Sequence, residues 1–196
     1  MREKPGRATP AGSRVLVRAP TVYDRDDFIA LNRASRRFHR GWASPPVTPE
    51  GYEEFLECCS REDFAGLLVC RKHDGVIVGV ANLSQIVRGP LQSAYLGYYV
   101  GAPFTGRGYM TEGIRLVLDH AFGKLRLHRI EANVQPSNEA SLALIERLGF
   151  TRECYSRRYL KIGGRWRDHE RWAMLAEDWR AVRSSSRPRR PRQGEL

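Results

Sequence analysis

Little in this chain is shaped for a metal, a disulfide framework or a membrane. Its four cysteines (Cys58, Cys59, Cys70, Cys154) show no CxxC spacing, and its five histidines (His39, His73, His120, His128, His169) form no pair at metal-ligand spacing. This argues against structural zinc and for a reduced, cytoplasmic protein. The first 30 residues contain no run of seven apolar residues, so a secretory signal is not expected. The longest uncharged stretch, residues 89 to 106, holds Pro90, Pro103 and four glycines, which no membrane span tolerates. Internal repeats and interdomain linkers are also lacking.

What is present is the composition of an ordinary globular domain: 196 residues, 41% hydrophobic and 28% charged, enough for a core that needs no staple. Acids are scarce against bases, with Asp plus Glu 22 and Lys plus Arg 33, and the formal charge is +11. Much of the excess lies at the ends: residues 1 to 14 carry +3 and residues 180 to 196 carry +5, leaving +3 for the middle. A middle this close to balance is no duplex-binding footprint, whereas a basic tail can touch RNA phosphates weakly.

Residues 1–13 and 181–196 are read as flexible tails, the second Arg-rich, flanking one domain over 14–180. Within it, Arg14 to Arg18 alternates as a strand, and Thr21 opens a helix running to about Arg37. Thr48-Pro49 opens a second helix. Residues 65–72 and 75–87 form a hairpin about Asp74-Gly75, and 92–100 is an aromatic strand. Then come a glycine turn, a helix to about Phe122, a strand at 128–134, and a helix capped by Ser137 that ends at Gly149. A closing hairpin turns at Gly163-Gly164. The order β-α-α-β-β-β-α-β-α-β-β predicts an α/β (α+β) fold with a mixed sheet and helices on its faces.

Chemistry concentrates at residues 104–112, Phe-Thr-Gly-Arg-Gly-Tyr-Met-Thr-Glu, between a strand and an apolar helix. A strand, a glycine turn and a helix start leave free amides facing outward with the positive end of a helix dipole behind them, a site for an anion. Gly106 and Gly108 let a diphosphate approach the backbone, and Arg107 adds charge. A Walker A loop would need Lys and Ser or Thr where Tyr109 and Met110 stand. A dinucleotide fingerprint would need its third glycine two positions before Gly113.

The loop resembles the acyl-CoA loop of the GCN5-related N-acetyltransferases (GNAT), Gln/Arg-x-x-Gly-x-Gly/Ala. Residues 133–150, NVQPSNEASLALIERLGF, resemble that family's second signature, an Asn and a small residue opening a helix that closes on Leu-Gly-Phe. Leu-Gly-Tyr-Tyr-Val before the loop and Asn-Glu-Ala-Ser after it are similar to the RimJ/RimL branch, ribosomal-protein N-terminal acetyltransferases. The resemblance implies a single-domain GNAT fold with a mixed, mostly antiparallel sheet of about seven strands. It also implies acetyl-CoA as co-substrate, with no metal. Val100 would hydrogen bond the pantetheine arm, the amides of Thr105, Gly106, Arg107, Gly108, Tyr109 and Met110 would cradle the pyrophosphate, and Asn138 would bond the pantetheine. Thr105 and Met110 depart from the family's letters, and the general-acid Tyr of many relatives is Ile145 here. Ser141 then becomes the acid candidate, since it lies on almost the same helix face.

For the general base the residues offer Tyr95, Tyr98, Glu112 and Glu131, none set apart by spacing. Tyr95 and Tyr98 also suit strand packing, and Glu112 a first helical turn. Tyr98 and Ser141 are the catalytic candidates, and Asn82, Tyr95 and Glu131 the acceptor-side candidates. The acceptor is a protein N-terminus, ribosomal by resemblance, or else a small amine such as an aminoglycoside, polyamine or amino acid. A non-catalytic RNA- or ribosome-binding module using the basic tail is the reading from another class. Monomer and homodimer both stay open.

Overall fold

The computed structural model describes residues 12–185; most of both expected tails lies outside them. Seven strands form one sheet in the order β1-β2-β3-β4-β5-β7-β6. The strands are β1 (Val15–Arg18), β2 (Phe64–Arg71), β3 (Ile77–Val87), β4 (Ser93–Val100), β5 (Arg129–Val134), β6 (Thr151–Ile162) and β7 (Arg165–Leu175). All neighbours are antiparallel except β4 and β5. That is the mixed, mostly antiparallel sheet the sequence implied.

Helices cover both faces because alternate strand residues are apolar in both directions. One face carries α1 (Arg25–Ala34) and α3 (Pro49–Cys59), closing Phe28, Ile29 and Tyr52 over Leu16, Leu68 and Val80. The other carries α4 (Tyr109–Asp119), α5 (Glu139–Leu148) and α6 (Ala176–Ser185), which bury Ile114, Leu118, Ile145, Leu148 and Trp179 against Val69, Leu83, Ile130 and Met174. Gly113 lets α4 lie close to β2, since a Cβ there would stand 2.7 Å from Val69 Cγ1.

Several boundaries differ from the sequence reading, each for a local reason. The helix expected from Thr21 to Arg37 breaks at Ser35, so α2 (Arg36–His39) is a separate turn. The helix expected to reach Phe122 ends at Asp119 and widens through Lys124, with Leu125 N bonded to His120 O at 3.0 Å. Asn138, not Ser137, caps α5: its Oδ1 accepts from Ser141 N at 3.2 Å.

The expected tail boundary at 181 is also corrected, because α6 continues to Ser185. Its acids Glu177 and Asp178 sit in the first turn, where the helix dipole favours them. Trp179 is buried, and its Nε1 donates to Asp119 Oδ1 at 2.9 Å, while Arg183 pairs with the same carboxylate. Trp179→Ala is expected to lower stability by roughly 3–5 kcal/mol in a denaturant titration. An unchanged midpoint would mean that α6 contributes nothing to the core.

Candidate functional site

The sheet opens in its middle. Strands β4 and β5 pair only through Ser93↔Arg129, Ala94↔Ile130 and Tyr95↔Glu131, and beyond these they part. The wedge between Leu96–Val100 and Ala132–Val134 exposes backbone donors and acceptors that a closed sheet would have paired.

Part of this edge is satisfied from the first helices. His39 Nε2 donates to Val100 O at 2.8 Å on the β4 side. Two residues on, Gly41 O accepts from Gln135 Nε2 at 2.8 Å just past β5, so residues 39–41 bridge the parted strands. Asn32 Nδ2 reaches Tyr99 Oη at 3.3 Å, and Ser35 Oγ accepts from Ala102 N at 2.9 Å. Burial pushes the Tyr99 phenol upward against its bond from Asn32, so it stays neutral. Asn32, Ser35 and His39 are all buried. Sequence reasoning missed all three, although their spacing of three and four continues the inward stripe begun by Phe28.

At the mouth of the wedge the glycine turn leads into α4. Gly106 and Gly108 have φ of +69° and +77°, the left-handed region that a β-carbon disfavours. Gly106, Arg107 and Gly108 have no hydrogen-bond partner for their amides among the described residues, and the first amides of α4 add further donors. Free amides at a helix start, with no β-carbon at either glycine, suit a diphosphate. Thr105 does not join them: its amide and hydroxyl both turn to Ala102 O, at 3.4 and 3.0 Å, so the cradle begins at Gly106.

The other loop side chains brace it. Arg14 Nη2 donates to Arg107 O at 2.8 Å, and its guanidinium lies 4.9 Å from the Tyr109 ring centroid. Met110 turns inward, its Sδ filling the space left by Gly79, where a Cβ would stand 2.6 Å away. The large residue at a usually small family position is thereby accommodated. Glu112 is a brace rather than a base, with its carboxylate taking Arg14 N and Nε, both at 2.7 Å.

Tyr98 and Ser141 stand 43 residues apart in sequence and meet across the wedge, Tyr98 Oη to Ser141 Oγ at 2.5 Å. Ser141 is brought there by the cap of α5, since Asn138 holds its amide. With Oδ1 so engaged, Asn138 keeps its Nδ2 donor for a ligand. Burial pushes the Tyr98 phenol up to about 12, although its bond to Ser141 works the other way, so the pair stays protonated at neutral pH.

On the opposite sheet face lie the acceptor-side candidates. Asn82 faces Gly97 across β3 and β4, and a Cβ at Gly97 would stand 2.5 Å from its Oδ1. Tyr95 Oη lies 3.5 Å from Tyr159 Oη, a contact that, with burial, pushes Tyr95 up to about 12. Glu131 is not free to act as a base. Arg129 Nε and Arg171 Nη2 hold its carboxylate at 2.9 and 2.7 Å, and this pairing outweighs burial to keep it below the usual carboxylate range. Arg129 also pairs with Glu153. Among the described residues, no group of three His, Cys, Asp or Glu can hold a metal, and no helix is long and apolar enough to cross a membrane.

This geometry has known counterparts. Residues 14–151 match the model of the acetyltransferase (GNAT) domain family. The chain is 43% identical to the Escherichia coli [ribosomal protein uS5]-alanine N-acetyltransferase over 85% of its length and 90% of that protein. It is 35% identical to the probable N-acetyltransferase YjcK of Bacillus subtilis over 85% and 97%. Among solved structures, Mycobacterium smegmatis RimJ in complex with CoA-disulfide superposes with a TM-score of 0.78 at 28% identity, covering 92% of this chain and 93% of that one.

Gly108→Val places a β-branched side chain at a positive φ, 3.2 Å from Arg14 Nη2 at its Cβ. The variant is expected to unfold cooperatively while losing the stabilisation by CoA, roughly 2.7 kcal/mol in the wild type at about 100 times Kd. A CoA response equal to wild type in thermal unfolding would place the anion elsewhere.

Proposed function

The chain belongs to the GNAT acetyltransferase family, and from that premise we propose that it transfers the acetyl group of acetyl-CoA to the N-terminal α-amine of a ribosomal protein. The observation that carries this reading is the 43% identity, across most of both chains, to a [ribosomal protein uS5]-alanine N-acetyltransferase. The acceptor face agrees: its acid Glu131 is already paired with two arginines, which leaves it no charge for a polycationic amine.

Acetyl-CoA supplies the thioester. The amides of Gly106 to Met110 hold its diphosphate, and the Val100 amide and Asn138 Nδ2 align the pantetheine arm along the β4 edge. In the wedge, a β4 main-chain N–H beside Tyr99 polarises the thioester carbonyl, that of Gly101 being taken by Val78 O. The neutral amine forms the new C–N bond as the C–S bond breaks; the departing sulfur takes a proton from Ser141 Oγ, and the nitrogen's surplus proton leaves to water, from which the Tyr98–Ser141 pair is restored. Tyr98 positions Ser141 and can re-protonate it through their 2.5 Å bond. No strong base is required, because an α-amine with pKa near 8 is roughly one-tenth neutral at pH 7. Asn82 and Tyr95 line the path by which the amine arrives.

Mass spectrometry of alanine-led peptides against spermidine tests the acceptor. A peptide gaining one acetyl group at its α-amine is the expected product, and a higher kcat/KM for spermidine would overturn the assignment.

Ser141→Ala is expected to lower kcat by roughly 10-fold or more with CoA affinity unchanged. For the wild type, a phenol held up to about 12 stays protonated across the assay range. The rate should therefore rise with pH as the amine loses its proton near pH 8, with no alkaline fall below about pH 10. A fall beginning near pH 9 would mean that another group is the acid.

A further inference from the structure

We propose that the tip of the β6–β7 hairpin is a binding surface for single-stranded RNA. The segment 157–167 carries Arg157, Arg158, Lys161, Arg165 and Arg167 and not one acid. A net charge of +3 for the whole middle of the chain conceals this local concentration. Among the described residues none of the five side chains is ion-paired, whereas the arginines at the root of the same hairpin are: Arg152 with Glu170, and Arg171 with Glu131. The nearest acid in sequence, Asp168, has its oxygens taken by Tyr155 Oη at 2.6 Å and Arg158 N at 2.7 Å.

Aromatic surface lies beside part of the charge, while Arg165 and Arg167, opposite Ile162 and Leu160, stand on the reverse face of the ribbon. Trp166 is 61% exposed, and its cross-strand partner is Lys161, on the same face. Tyr155 is 47% exposed nearer the root. Cations alone would be read as protection of β6, the outermost strand, from pairing with another sheet. That explanation extends to Arg165 and Arg167, since β7 there runs past Glu170, its last pairing with β5, but it fails for Trp166, because an uncovered indole is the opposite of protection. Unpaired cations beside an open indole match a chain of phosphates with bases that can stack. The turn at Gly163 and Gly164, with φ of +55° and +79°, holds the strands in register, so the platform is built into the fold. The proposal does not depend on the identity of the acetyl acceptor.

The test is fluorescence anisotropy of the full chain with a labelled single-stranded RNA of about 16 nucleotides between about 50 and 200 mM KCl. The triple variant Arg157→Glu, Lys161→Glu, Arg165→Glu is expected to bind roughly 10-fold or more weakly. The slope of log affinity against log salt should shrink by about 2, at some 0.7 per lost phosphate contact. Trp166→Ala is expected to weaken binding about 5-fold with the slope unchanged, because stacking releases no counterions. Both variants should keep the CoA-induced rise in melting temperature, which shows that the fold is intact. A triple variant that binds as tightly as wild type would overturn the proposal and assign the affinity to residues 186–196. Displacement of the RNA by polyglutamate at equal charge concentration would overturn it too, since charge without bases would then suffice.

Discussion

Everything at this site depends on two parallel strands that pair for three residues and then separate. A sheet gains from closing its ladder, so an opening in its middle must be held apart and its loose backbone groups satisfied. Here the His39 ring donates to Val100 O on one edge, the Gln135 side chain just past the other donates to Gly41 O, and the Tyr98 and Ser141 hydroxyls meet across the gap. The large apolar cluster under α4 and α5 and the smaller one under α1 and α3 grip the sheet from both faces. The strands can therefore diverge without the domain loosening.

The electrostatics follow the same division. At the glycine turn the anion-binding groups are backbone amides and a helix start, so side-chain substitutions there are tolerated where packing compensates, as Met110 does over Gly79. On the acceptor side, charge is balanced within the protein: Glu131 and Glu153 are matched by Arg129 and Arg171. A face neutralised in this way selects by shape and hydrogen bonding more than by attraction.

Local features were legible in the sequence because local rules make them. The Gly106-Arg107-Gly108 turn, the Asp74-Gly75 hairpin and the Gly149 stop each need only a few adjacent residues, and the order of elements along the chain followed from such signals, whereas the order of strands in the sheet did not. The pairing of Tyr98 with Ser141 was only half legible: Ser141 was singled out by its helix face and Tyr98 was one of four candidates, but nothing over 43 positions says that they touch. His39 was harder to see: it continues the stripe of Phe28, Asn32 and Ser35, but after Phe28 the members are polar and a helix break intervenes, so a periodicity read from apolar residues passes over it. The α6 helix was obscured by composition, because Trp179 and Val182 are its only large apolar side chains and a polar tail follows.

Helix α4 is fastened at both ends by the first and last segments of the described chain. Arg14 grips Glu112 and the Arg107 carbonyl at its start, and Trp179 and Arg183 grip Asp119 at its finish. The first and last described segments thus converge on the one helix whose first turn carries the free amides of the glycine turn. Ordering that turn around a ligand must also quieten both segments, so slowed hydrogen exchange at residues 176–185, which lie at the far end of the helix, would report occupancy of the cleft from a distance.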